Sequence, residues 1–176
     1  MNNSFSQLLF KFRGWILVAL FLLLLASRYF SSAHLQALGL VPIALGMGLR
    51  LVSGRYISNH SNGLKIEAEH FANQGPYRWF KHPLYFSNIL IGVGLILFAN
   101  CLSQIHFMIF VLLLISQHFF LARAEEKFLQ SKMNTDADFK NVSIEISWNE
   151  AWKRQGVNLG KSFLAMVIIW IASYHA

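Results

Sequence analysis

Charge is scarce in this chain. Asp, Glu, Lys and Arg make up 13% of its 176 residues, where a soluble domain carries about a quarter. Such a chain cannot cover itself with a hydrated surface, so a soluble globular domain is excluded. Acidic residues are the rarer sign, eight against fifteen Lys and Arg. Cysteine occurs once, at Cys101, which excludes an intramolecular disulfide and a thiolate metal cluster. His60, His70 and His82 are ten and twelve residues apart, a spacing that matches no usual zinc pattern, so no metal site is expected. The sequence holds no nucleophile elbow, no internal repeat and no low-complexity tract. Gly46-x-Gly48 lies inside an apolar run and reads as helix packing, not as a phosphate loop.

What the chain has in excess is hydrophobicity, 55% of its residues. The apolar residues fall in runs at 15–30, 34–52, 83–99 and 102–122, each about long enough to cross a bilayer. Ser31-Ser32-Ala33 after the first run imitates a signal cleavage site. The length of that run, with a second close behind it, argues for an uncleaved span. The fourth run passes without a break into Arg123 to Leu129, a helix expected to leave the membrane and continue for a turn or two. A last run, 162–172, is short. It reaches spanning length at 157–175 only if Lys161 snorkels to the surface. Before it, Trp148 and Trp152 at i,i+4 spacing suggest a short amphipathic helix lying in the interface. The expectation is a single all-α membrane domain over 1–176: a polytopic bundle of four to five transmembrane helices with one long polar loop.

Charge placement orients the bundle. With the N-terminus in the cytoplasm, the cytoplasmic segments are 1–13, 53–82 and 123–160. Counting Arg50 and Lys161 at their edges, these hold 2, 5 and 7 Lys or Arg, and only Arg28 falls on the other side. So lopsided a count follows the positive-inside rule. The net charge of +7 is then explained by topology and anionic headgroups, with no need of nucleic acid. Asn141-Val142-Ser143 matches a glycosylation triplet but falls on the cytoplasmic side.

One stretch concentrates the chemistry. Residues 75–86 read Gly-Pro-Tyr-Arg-Trp-Phe-Lys-His-Pro-Leu-Tyr-Phe. They combine a turn, three cations or donors (Arg78, Lys81, His82) and interfacial aromatics. Pro83 opens the next helix, where its missing N–H costs nothing. On that helix Tyr85, Asn88 and Gly92 share a face. On the following helix His118, Ala122 and Glu125 form a stripe with Glu126 at its flank. Because the two helices form a hairpin, the cations at 78–82 and the carboxylates at 125–126 face one side of the membrane. Read blandly, Asn88 is an interhelical hydrogen bond and the charges are a hairpin-base ion pair.

Gly75-Pro76-Tyr77-Arg78, then His82-Pro83-x-Tyr85, a hydrophobic hairpin and Glu125-Glu126 resemble the isoprenylcysteine carboxyl methyltransferase and phospholipid methyltransferase superfamily. Its members are small multi-span enzymes that use S-adenosylmethionine. The resemblance covers about residues 65–130. Lys81 stands where the superfamily usually has Arg, and Phe86-Ser87 where it often has Gly. The resemblance implies that the His-Pro loop and the Glu pair enclose the cofactor at the cytoplasmic face. It assigns Arg78, Lys81 and His82 to the donor's carboxylate, and Glu125 and Glu126 to its ammonium or ribose hydroxyls. Tyr77, Pro83 and Tyr85 complete the cofactor-binding set, and Asn88 and Gly92 line a path from the bilayer. His118 or Glu125 is the catalytic base if the acceptor is an amine. The acceptor is expected to be a lipophilic small molecule or a lipidated substrate, most like the carboxyl group of an isoprenylcysteine. A membrane sterol reductase using NADPH, which carries a similar Arg-His-Pro-x-Tyr element, and a non-enzymatic membrane protein are the alternatives.

Overall fold

A computed structural model of the chain describes residues 3–29, 36–57, 74–100, 103–135 and 145–173. Five α-helices carry most of them: α1 Asn3–Tyr29, α2 Leu40–Gly54, α3 Pro83–Ala99, α4 Gln104–Thr135 and α5 Trp148–Ala172. One 3-10 turn, Ala37–Gly39, leads into α2, and another, Gly75–Arg78, precedes α3. No strand occurs among the described residues. Residues 37–54, 105–131 and 148–172 are long and apolar enough to cross a membrane, and α3 is a shorter apolar helix. α1 carries the first apolar run as far as Tyr29. Large apolar side chains point outward along the bundle, among them Leu22, Leu45, Leu112, Phe163 and Leu164. Arg50, Ser53, Ser87, His118 and Gln155 are buried within it. Apolar outside with polar inside is the pattern of a bundle solvated by lipid. This is an all-α integral membrane protein.

The helix ends alternate. At one end the amide N–H of Gln36 donates to the Phe98 carbonyl (3.2 Å), and Arg28 Nη1 donates to the Ala99 carbonyl (3.3 Å). At the other end the amide N–H of Ile146, just before α5, donates to the carbonyl of Arg55, just after α2 (2.9 Å). The apolar core lies at the first end, where Leu24, Ile43, Ile96, Phe98, Ala99 and Ile169 pack together. The buried polar groups of α2, α3 and α4 lie toward the other.

Arg28, the one cation on the far side of the positive-inside count, has a structural reason to be there. It is 3% exposed and supplies a positive charge to the carbonyl end of α3, where the helix dipole is negative. Asn100 closes α3 in the left-handed conformation (φ 47°), which asparagine tolerates better than most residues. Arg28→Met is expected to cost on the order of 1–3 kcal/mol, read as a lower Tm in detergent. An unchanged Tm would show that this cap contributes nothing.

Two sequence expectations are corrected. Trp148 and Trp152 do not form a separate interfacial helix ahead of a short final run. Both belong to α5, which runs unbroken for 25 residues. Its start is an N-cap that the sequence displays: Ser147 Oγ accepts from the Glu150 amide (3.3 Å). In addition, α4 does not stop a turn or two past the fourth run but continues to Thr135. Cys101, His60, His70, the 31–33 cleavage pattern, the 141–143 triplet and most of the 53–82 loop lie outside the described residues.

α2 and α3 make the most extensive helix contact. A Cβ on Gly94 would lie 2.6 Å from Ile43 Cγ1 and 2.8 Å from the Gly39 carbonyl oxygen. A Cβ on Gly46 would lie 2.8 Å from the Ser87 carbonyl oxygen. Small residues on both faces therefore set the distance between the helices.

Candidate functional site

The approach to the site is built by local geometry. Gly75 has φ +57°, and the Tyr56 ring occupies the space where its Cβ would be, 2.4 Å away. Only glycine fits this corner. The turn then closes with Trp79 and Phe80 amides donating to the Pro76 carbonyl (3.2 and 2.9 Å), and Phe80 stacks on Phe86 of α3 at 5.2 Å. The turn is thereby folded onto the start of α3. Pro83 takes the first helical turn and is fully buried. The His82 carbonyl accepts from the Tyr85 and Phe86 amides, while the His82 ring makes no capping bond.

That ring faces α4. His82 Nδ1 lies 3.6 Å from Glu125 Oε2, with both side chains partly exposed. Its ring centroid is 5.7 Å from that of Tyr85, and Tyr85 is 5.9 Å from His118, edge to face. The Tyr85 hydroxyl is hydrogen-bonded to Glu125 and to Arg13, donating to the carboxylate and accepting from the guanidinium. His118 is 2% exposed. Its Nδ1 is 2.8 Å from the Leu114 carbonyl; a carbonyl accepts only, so Nδ1 carries the proton and Nε2 the lone pair. On the other side of Asn88, Arg50 Nη1 donates to Asn88 Oδ1. At the rim Lys81 Nζ bonds Glu126 Oε1 at 3.0 Å.

The sequence-predicted residues are thus partly gathered. His82, Tyr85, Glu125 and His118 share one cluster, and Tyr77 adjoins it. Tyr77 has a buried hydroxyl with no hydrogen-bond partner. Burial, with the Glu125 charge behind it, pushes that hydroxyl well above the usual phenol range. Lys81 and Glu126 pair with each other at the surface. Arg78 is exposed at the end of its turn. Gly92 serves packing: a Cβ there would meet Leu114 Cδ2 at 2.5 Å, so α3 and α4 close on each other at that point. Asn88 makes the interhelical bond that the bland reading anticipated.

The cluster also contains residues the sequence reading passed over, Arg13 and Arg50. Both had been counted as positive-inside anchors. Arg13 is held by its own backbone, whose carbonyl accepts from Gln117 Nε2 on α4 (2.9 Å). Arg50 was detectable in principle, since it follows the unbroken apolar stretch of α2 and a cation there needs a buried partner.

Four helices and the turn before α3 therefore bring His82, His118, Tyr77, Tyr85, Glu125, Arg13 and Arg50 to one end of a membrane bundle, with Lys81 and Glu126 at its rim. A family model described as phospholipid methyltransferase matches residues 35–135. That span holds α2, α3, the turn and the whole of α4. The chain belongs to the phospholipid methyltransferase family. The assignment agrees with the superfamily resemblance carried by Gly75-Pro76-Tyr77-Arg78, His82-Pro83-x-Tyr85 and Glu125-Glu126, and methyl transfer is the activity the family implies. No curated protein and no solved structure matches the chain significantly. α1 and α5 lie outside the matched span of this methyltransferase-family chain, yet α1 brings Arg13 to the cluster.

Proposed function

We propose that this protein transfers a methyl group from S-adenosylmethionine to a lipophilic acceptor that enters from the bilayer. The observation that carries the reading is the meeting of His82 with Glu125 across the α3–α4 hairpin, with Tyr85 bridging the two. The donor set fits the cofactor: a carboxylate for an ammonium or ribose hydroxyls, cations for a carboxylate, and aromatic walls. S-adenosylmethionine supplies an electrophilic methyl on a sulfonium whose charge is lost during displacement.

The residues here bind and orient. Glu125 and Glu126 hold the donor's ammonium or ribose hydroxyls, and His82 and neighbouring cations hold its carboxylate through charge-assisted bonds. Tyr77 and Tyr85 flank the bound donor and exclude water. With a carboxylate or thiolate acceptor, alignment supplies most of the catalysis. With an amine acceptor a base is required, and His118 Nε2 takes the proton. An isoprenylcysteine carboxyl group is the acceptor we favour on the superfamily resemblance. The positive-inside distribution supports a cytoplasmic N-terminus and a site at the cytoplasmic face.

Calorimetry of the purified protein with S-adenosylhomocysteine and, separately, NADPH tests the reading. Binding of the first alone is expected. Binding of NADPH alone would replace methyl transfer with a reductase function of the sterol reductase type, and binding of neither would leave a membrane protein without this cofactor chemistry.

A further inference from the structure

Arg55 ties the start of α5 to the end of α2. It follows Gly54, the last residue of α2. Its carbonyl accepts from the Ile146 amide (2.9 Å), and its Nε donates back to the Ile146 carbonyl (3.1 Å). Its Nη2 meets Glu145 Oε1 at 2.5 Å. The guanidinium lies over the Trp148 ring, 4.2 Å from its centroid, a distance at which cation and ring attract. Backbone, fork and flat face of Arg55 are thus all engaged by residues 145–148. One turn along α5, Arg154 Nη1 donates to the Ile57 carbonyl (3.3 Å), and Gln155 packs on Gly54, where a Cβ would lie 2.6 Å from Gln155 Cγ.

The clasp holds the neighbouring residue, Tyr56. The Arg55 guanidinium is 5.8 Å from the centroid of the Tyr56 ring. Tyr56 Oη is 3.5 Å from Glu145 Oε1, the oxygen that Arg55 engages. The ring itself fills the space beside Gly75, the corner from which the chain turns toward His82. An ion pair to a half-exposed Glu145 contributes little stability by itself. A planar guanidinium held at its edge and on its face instead fixes where the adjoining ring stands. The turn rests on that ring at Gly75 and on α3 through the Phe80–Phe86 stack. We propose that Arg55 is a positioning residue: with Glu145 and Trp148 it sets the Tyr56 ring against Gly75, and so holds the turn that aims His82 at Glu125. Residues 145–148 lie beyond the family-matched span, so the chain that follows the match serves the site by bracing it. The binding arm of the test rests on the methyl-transfer reading; the exchange arm does not.

The test uses the full chain in nanodiscs and three readouts. Hydrogen exchange by mass spectrometry follows the turn, where the Trp79 and Phe80 amides are bonded to the Pro76 carbonyl. Calorimetry gives the Kd of S-adenosylhomocysteine, and melting gives Tm. Arg55→Gln and Tyr56→Ala are each expected to speed exchange in the turn, and to weaken binding, by about fivefold or more. Exchange in α4 and Tm should stay close to wild type. Tyr56→Phe keeps the ring and should match wild type, and Arg55→Lys should retain part of the effect. Adding Glu145→Gln to Arg55→Gln should cost nothing further, because both act through one contact. Lys153→Gln, exposed on the same helix, controls for loss of a charge and should match wild type. The proposal is overturned if the turn of Arg55→Gln exchanges as in wild type, or if exchange rises equally in every helix. Faster exchange in the turn with undiminished binding overturns it as well. Should Arg55→Gln fail to fold, the Tyr56 pair decides. Wild type that ignores S-adenosylhomocysteine would sink the methyl-donor reading, and exchange in the turn would then decide the positioning role alone.

Discussion

Glu125→Gln is expected to weaken S-adenosylhomocysteine binding by about 10- to 100-fold, the range of a lost charged hydrogen bond. The substitution keeps the shape and removes the charge. Glu125 is the anion that Tyr85 hydrogen-bonds and His82 faces at 3.6 Å. A neutral amide at 125 can still accept from Tyr85, but it attracts neither an ammonium group nor a protonated imidazole. The helix should survive, because Gln and Glu have similar helix propensity and the side chain is partly exposed. Helical content by circular dichroism is therefore expected to match wild type while binding falls. His82→Ala should lose affinity in parallel. If both variants bind the product as tightly as wild type, the His82–Glu125 meeting is a hairpin-base ion pair and nothing more.

The second large effect concerns the distance between α2 and α3. Gly46→Leu should destabilise the protein by about 3 kcal/mol and abolish donor binding at the same time. A Cβ at position 46 would already lie 2.8 Å from the Ser87 carbonyl oxygen and from Ile91 Cγ1. The first of these is backbone and cannot move without its helix. Arg50 sits one turn further along the same face of α2 and reaches Asn88 on α3, so separating the helices breaks that bond. Gly48→Leu is the matched control: nothing lies within 4 Å of a Cβ there, and the position is exposed. Equal melting temperatures for the two variants would show that helix spacing does not depend on Gly46.

These two glycines show how far reading the chain could go. Gly46-x-Gly48 was legible as a packing feature, since glycines in an apolar run have no other evident use. Which of the two faces a neighbour is a matter of helix rotation, and one position faces α3 while the other faces outward. The same limit applied to α5. Ser147 and Glu150 carry a capping signal, but the short apolar run 162–172 looked separate from the tryptophans. The joining segment, with Lys153, Arg154 and Lys161, is too polar for hydropathy alone to connect it. Arg154 bonds Glu150 one turn away (2.6 Å), and Gln155 is buried against Gly54. Packing against α2 thus accommodates polar groups within α5.

The site divided in the same way. The meeting of His82 with Glu125 was readable because hairpin topology returns the end of α4 to the start of α3, whatever the side chains do. Lys81 and Glu126 were readable for the same reason, although the structure turns them to the rim. Arg13 and Arg50 were not. Their distance to Tyr85 and Asn88 depends on how α1 and α2 rotate against α3.

By itself the sequence determined that this is a helical membrane protein, and which of its ends gathers the cations. Both follow from local solvation: an apolar run leaves water whatever its neighbours do, and a charge stays near it. It also carried the motif that assigns the family. Only the tertiary structure decided which charges turn inward to share one site. That depends on residues 37 and 38 positions apart in the chain, from Arg13 to Arg50 and on to Asn88. They can share it because glycine contacts let α2 approach α3 closely, and no local pattern encodes that distance.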